Sequence, residues 1–302
     1  MAKRITKLAS SRGAAIMLAL WALFLLSAMI ISWALDINTR LVNAGNTNRV
    51  LEAEAMACSG SEIALHPGVK PGSPVLRGSL APGRNFEARI TGEAGRLNLK
   101  FILTGEDPAK LEILRKYLEI KGVDLNERDE MIDCLLDWVD PDNLIRLNGA
   151  EDEQGYKAAN RMLTSLDDLK RVRGWEEFTS RPDWDADFTL KSLDHKINVN
   201  WASRDVLLAL PGVTDAAADR IIEMRRGPDG IDGTEDDFTF KPADVQVALG
   251  LPQAQYNQLA GLLTFDDQIL RVVSIGKSGS ATRTVQLVFR KGSNILLTWK
   301  EL

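Results

Sequence analysis

Between Ala14 and Leu35 the chain reads AAIMLALWALFLLSAMIISWAL, a run without a single charge, preceded by Lys3, Arg4, Lys7, Arg12 and Gly13 and closed by Asp36. As a helix rising about 1.5 Å per residue, such a run spans the ~30 Å hydrocarbon core of a bilayer. It can therefore cross a membrane. Four basic residues ahead of it, with no acid before Asp36, place the N-terminus in the cytoplasm and everything after Asp36 outside it.

An ordinary secretory signal has a shorter apolar core followed by a small-residue cleavage site. Here the processing point, Arg12-Gly13 with Ala14, lies before the apolar run, so cutting there leaves the membrane helix on the mature protein. Two readings follow, a generic signal anchor or a prepilin-type leader over 1–13 cut between Gly13 and Ala14. The segment alone does not separate them.

Beyond the anchor, a 302-residue chain with 45% hydrophobic content can bury a substantial core in one or two domains. A net charge of -5 argues against a general polyanion-binding surface. Cys58 and Cys134 are too few for a disulfide framework, and whether they pair is open.

From Asp36 to Leu65, apolar or small residues at Ile37, Leu41, Ala44, Leu51, Ala55 and Cys58 keep a helical period, which His66-Pro67-Gly68 stops. One long helix over 14–66 is expected, half in lipid and half amphipathic, with a local kink near Asn43 and Gly45. FEARI and RLNLKFIL then read as a β-hairpin, so 67–104 is the first part of a sheet. Residues 105–265 carry many short helical segments, several opened by a Ser, Asp or Asn cap or a first-turn proline. QILRVVSIG, TRTVQLVFRK and NILLTWKEL return to strands over 266–302. Strands flanking a helical block give an α+β fold, a small antiparallel sheet packed on the long helix with a large all-α domain inserted in the sheet.

Within that block, residues 124–153 hold eleven acids against Arg128 and Arg146. The centre, DWVDPDNLIRLNGAED, sets Asp137, Asp140 and Asp142 around Pro141, with Glu151 and Asp152 returning after Asn148-Gly149. Hard oxygen ligands on a loop suit Ca²⁺ better than zinc, although a solvated acidic loop with helix caps has the same composition. A second candidate is GPDGIDGTEDDF, where Asp229, Asp232, Glu235, Asp236 and Asp237 alternate with glycines; its spacing is not that of an EF-hand. NVNWASRDVLLALPGVTDAAADRIIEMRR resembles a helix-hairpin-helix unit, with SLDDLKRVRGW (Leu166, Leu169, Val172, Gly174) as a partner of the same type. Thr214 replaces the second hairpin glycine, and Asp215 and Asp219 stand where a phosphate binder needs amides and cations, so the unit reads as structural. Enzyme signatures are weak. Gly276-Lys277-Ser278 ends like a P-loop but Arg271 occupies the first glycine's place, and neither His66 nor His195 has a second histidine at ligand spacing.

Taken in order, the leader with Gly13, ITGEAGRLNLKF, DWVDPDNLIRLNGAED, SLDDLKRVRGW, NVNWASRDVLLALPGV and LTWKEL resemble the minor pseudopilin K family of type II secretion systems, from the leader to the last residue. The resemblance implies a pilin-like fold with an α-domain inserted in its sheet, and a prepilin peptidase cutting after Gly13. It also implies a place at the pseudopilus tip with minor pseudopilins I and J, calcium bound by the α-domain, an inner-membrane anchor and a periplasmic bulk. Most pilin-type subunits resemble one another in a Glu at mature position five, where this chain, counted from Ala14, has Leu18. A carboxylate in lipid is expensive unless paired, so a subunit with nothing packed above it gains by losing it, which fits the tip. The expected role is a non-enzymatic assembly subunit without a nucleic-acid partner. The rival readings are a membrane-tethered helix-hairpin-helix DNA-binding protein and a metal-dependent hydrolase.

Overall fold

In a computed structural model that describes residues 8–153, 155–293 and 295–302, with side chains from Gly13 onward, one helix runs unbroken from Leu8 to Leu65. The leader residues Lys3, Arg4 and Lys7, and the Arg12 side chain, lie outside the described set. The helix runs through Asn43 and Gly45 without a break. A single helical glycine costs only about 1 kcal/mol relative to alanine, which flanking turns absorb.

The two halves of this helix have different surroundings. Its apolar stretch is bare, with Leu18 71% and Phe24 64% exposed and none of the described residues packed on them. From Ala53 onward, Ala53, Ala57, Gly60, Ser61 and Ala64 are buried at helical spacing against a sheet. The helix ends where expected, with the Gly68 N–H donating to His66 Nδ1 at 3.1 Å.

The sheet has five antiparallel strands in the order Arg77–Ala81, Arg84–Gly92, Ile269–Ser278, Ala281–Arg290 and Ile295–Glu301. Register puts Phe86, Ala88 and Ile90 opposite Gly276, Ser274 and Val272, and Val285 and Leu287 opposite Ser274 and Val272. These residues share the helix-facing side, as the two-residue period requires. Gly276 lies so close to the helix that a Cβ there would overlap Ala53 O and Ala57 N. Gly276-Lys277-Ser278 thus closes a strand, and its glycine admits a helix rather than a phosphate.

The hairpin expected from FEARI and RLNLKFIL is not formed. FEARI pairs instead with the earlier strand Arg77–Ala81 and with Ile269–Ser278. The sheet's first part, expected over 67–104, thus has its strands between Arg77 and Gly92, while Leu99–Leu103 is a short helix. Asn98 caps that helix by accepting from Lys100 N, and Leu99, Ile102 and Leu103 are buried at helical spacing in the core of the inserted block. A run apolar at nearly every position carries no period that distinguishes helix from strand.

Gly92 pairs with Leu270, so the block enters and leaves the sheet between two adjacent strands. It holds one large core around Trp138, Trp175, Tyr117 and Phe188, with Trp175 Nε1 donating to Met131 O at 2.8 Å. Its longer helices are Pro108–Ile120, Leu125–Val139 and Asp215–Arg225. SLDDLKRVRGW forms a 3-10 helix over Leu166–Arg171, closed by a capping box between Ser165 and Asp168. The block is not purely helical, because three two-stranded ladders stitch it together.

A buried polar cluster sits where block and sheet meet. Glu93, fully buried, receives both guanidinium branches of Arg271 at 2.7 and 2.9 Å and the Thr189 hydroxyl at 2.6 Å. Burial alone would raise the Glu93 pKa, but the Arg271 charge and hydrogen bonds outweigh it and hold it below the usual value. Beside it, Asp267 accepts from Ala94 N and Asn198 Nδ2, both at 3.0 Å, yet burial pushes its pKa up to about 6. Folded Asp267 therefore holds its proton to higher pH than the unfolded chain, so its contribution to stability declines as pH rises from about 4 to about 6. Glu93 acts oppositely, its contribution being lost as pH falls through its lowered pKa. Asp267→Asn is expected to remove the first trend, shifting the variant's melting temperature relative to the parent upward between pH 4 and 7 by the equivalent of about 2 kcal/mol. Thermal melts across that range check it, and an offset independent of pH refutes it.

Candidate functional site

Asp137 lies fully buried in the last turn of the Leu125–Val139 helix, and Asp140 is that helix's C-cap. Pro141 stops the helix, and the chain loops back through Asn148 and Gly149. The Asn148 N–H donates to Asp133 at 3.1 Å, and Gly149 lies so near Asp137 Oδ2 that it has no room for a Cβ. The return brings Glu151, 3% exposed, beside the two aspartates. One carboxylate oxygen from each of Asp137, Asp140 and Glu151 lies within 4.8 Å of the others. Burial, with the charges of Asp137, Asp140 and Asp142 behind it, raises the Glu151 pKa.

Arg146 reaches into this group. Its Nη1 donates to Asp137 Oδ1 and Asp140 Oδ2, each at 2.5 Å, its Nη2 to Glu106 Oε1 at 2.6 Å, and its backbone N–H to Asp137 Oδ2 at 3.3 Å. Asp140 Oδ1 and Glu151 Oε1 remain buried without a hydrogen-bond partner among the described residues. Orphaned buried oxygens are costly. Three convergent carboxylates with two unsatisfied oxygens form an all-oxygen donor set, which fits a hard divalent cation such as Ca²⁺.

Of the five acids singled out in this loop, the structure thus gathers three. Asp142 is exposed and spends Oδ1 on the Leu144 N–H at 2.8 Å, and Asp152 is exposed in a small ladder opposite Lys157. Arg146 and Glu106 are the participants that sequence reasoning missed. Arg146 entered only as a charge offset, and Glu106 lies forty positions earlier with no local signal.

The second acidic loop is organised differently. Asp232 pairs with Arg89 and, at 3.4 Å, with Arg225; Asp229 accepts from Ile231 N, Asp237 from Gly233 N, and Asp236 from Asp229 N and the Thr234 hydroxyl. Glu235 is exposed. Asp229, Asp236 and Asp237 tie their own loop together while Asp232 fastens it to the sheet and to the Asp215–Arg225 helix, and these acids are not among the described ones that converge on one point.

The hairpin-like unit consists of Arg204–Ala209 and Asp215–Arg225 around Gly212, whose φ of 78° requires glycine's freedom. Thr214 caps the second helix, and Arg204 bonds Asp219 at 2.6 Å and Asp215 at 2.7 Å. Buried Arg225 donates to Ala202 O at 2.8 Å, fastening the pair to the preceding turn. A groove of about 730 Å³ opens between the end of the long helix and the block, lined by Leu65, Val69, Phe289 and Trp201 among others; His66 lines it too, with Nδ1 accepting from Gly68. Cys58, half-buried on the long helix, and Cys134, whose buried thiol is pushed up to about 12, are both free.

Comparison with known proteins bears on the block directly. Residues 95–181 match the family Type II secretion system (T2SS), protein K. The type II secretion system protein K of Dickeya chrysanthemi is 28% identical over 71 residues, 23% of this chain and 20% of that protein. The chain thus spans about a fifth of that relative's length in the match. A chain of the crystal structure of the GspK-GspI-GspJ complex from the enterotoxigenic Escherichia coli type 2 secretion system superposes with a TM-score of 0.56 at 17% identity, covering 87% of this chain and 99% of that one. The resemblance read from the sequence is met in the block, where residues 95–181 match the protein K family, and in the α+β fold.

Proposed function

We propose that this chain, with the type II secretion protein K domain at 95–181, is a minor pseudopilin that caps a pseudopilus and helps to start its assembly for protein export. The carrying observation is one helix with two environments. Its first half is bare of packing among the described residues, while its second half is fastened to a sheet that the inserted block interrupts. A bare apolar helix serves first as a single-pass anchor in the inner membrane, after cleavage between Gly13 and Ala14 by a prepilin peptidase, and then as a packing spine beside neighbouring subunits. Leu18 in place of a carboxylate suits a subunit with none stacked above it. The role is structural rather than enzymatic, with the block in the periplasm.

The likeness to a chain of a three-protein complex supports minor pseudopilins I and J as partners. Asp137, Asp140 and Glu151 would hold Ca²⁺, whose charge would neutralise the carboxylates that join the helix end to the returning loop. Co-expression of the full chain with I- and J-type subunits is expected to give a stable complex in which the chain begins at Ala14 by mass spectrometry, whereas Gly13→Val retains residues 1–13. Failure of the partners to co-purify would sink the tip assignment. An unchanged mature mass in Gly13→Val would sink the leader.

A further inference from the structure

We infer that Arg146 is a built-in counter-cation that occupies the acidic centre when no metal is bound, so that a divalent cation and the Arg146 guanidinium compete for the same two aspartates. The inference rests on the reading of Asp137, Asp140 and Glu151 as a divalent-cation site.

Arg146 Nη1 bonds the two aspartates through one oxygen each, Asp137 Oδ1 and Asp140 Oδ2, so a single nitrogen stands between carboxylates that would otherwise repel. Yet the guanidinium does not complete the site. It brings one positive charge to three clustered carboxylates and leaves Asp140 Oδ1 and Glu151 Oε1 buried and unpartnered. Glu151 is 97% buried by its 3% exposure and has a ligand oxygen within 4.8 Å of the aspartates, so an unsatisfied acceptor borders the place the arginine holds. A divalent cation brings twice the charge and accepts six to eight oxygens, enough for the orphans as well. Asp140 accepts from the guanidinium through Oδ2 and leaves Oδ1 orphaned, so a cation drawn to the orphaned oxygens would stand across the same carboxylates from Arg146, where two like charges in a partly buried site repel. That repulsion favours moving Arg146 outward, and Glu106, its half-exposed partner on the outer side, offers the displaced guanidinium an anchor.

The loop therefore has two arrangements. Arginine-in leaves the Asn148-Gly149 return closed on Asp133 and Asp137, and cation-in turns Arg146 outward. The arrangement lets the block fold and persist before metal arrives, and it sets the affinity by internal competition.

Isothermal titration of chelator-treated full chain in detergent with CaCl₂ tests this. Arg146→Gln is expected to bind Ca²⁺ about tenfold more tightly than the parent, because the competitor is gone. Equal affinities overturn the competition while leaving the site standing; absence of Ca²⁺ binding in both proteins overturns the site and the competition together. If Arg146→Gln does not fold, phenylglyoxal labelling of the unmodified chain mapped by mass spectrometry decides. Several-fold faster modification at Arg146 in Ca²⁺ than in chelator is expected, with Arg204 unchanged as the internal reference. Unchanged or slower labelling at Arg146 overturns the inference.

Discussion

Glu93→Ala is expected to destabilise the folded chain by about 3–5 kcal/mol, measured by denaturant unfolding in detergent, because it leaves the buried Arg271 guanidinium without its counter-charge. The pair is fully enclosed, with Glu93 0% and Arg271 8% exposed, so water cannot replace the lost partner. Thr189, which donates to Glu93, and Arg96 at 3.5 Å lose an acceptor too. The double variant Glu93→Ala/Arg271→Met is expected to recover at least half of the loss, since a buried charge pair replaced on both sides by apolar groups is often nearly neutral. A double variant as unstable as the single one would show that the cost lies in lost packing rather than in an orphaned charge. The location matters, because Glu93 opens the inserted block while Arg271 belongs to the sheet.

Gly276→Ala should cost about 3 kcal/mol, the upper end of what overpacking usually costs. The added methyl would meet Ala53 O and Ala57 N, which are backbone atoms of the long helix and cannot rotate aside, and would stand 2.9 Å from Met56 Cβ. The helix must lift from the sheet to admit it. Gly45→Ala is the control, since a methyl added to the long helix itself at that position meets nothing within 4 Å and is expected to be neutral or slightly stabilising. Equal effects at the two positions in unfolding experiments would remove close approach as the reason for Gly276.

The long apolar N-terminal helix, the closing strands and the helical texture of the block were legible in sequence because each rests on a local pattern. The run from Ala14 to Leu35 has no charge, TRTVQLVFRK alternates, and Ser165 and Ser203 announce helix starts by their caps. What failed was also local in origin. RLNLKFIL is apolar at five of eight positions and offers no period, so its fate was set by tertiary burial beneath the block rather than by propensity. The strand Arg77–Ala81, with Gly78 and Ser79 inside it, has little strand character and is held by pairing with Arg84–Gly92. In the acidic loop, composition indicated oxygen ligands, but whether an acid is buried in the group, as Asp137 and Glu151 are, or left exposed, as Asp142 and Asp152 are, depends on how the chain folds back. The Arg146–Glu106 pair joins segments that no spacing rule connects.

The seam at Gly92 and Leu270 also sets an order of events during folding. The sheet is made of two locally closed pieces, a hairpin over Arg77–Gly92 and a three-stranded meander over Ile269–Glu301, each able to form from neighbouring residues. Joining them requires residues about 180 positions apart to meet, and for a flexible chain of that length closure costs about 4–5 kcal/mol beyond a constant term. Once the block is folded, Ala94 and Asp267 are already held together by a 3.0 Å hydrogen bond, and the remaining search is short. The block therefore acts as the clasp of the sheet: contact order at the seam is high on paper and low in practice, provided that the block folds first.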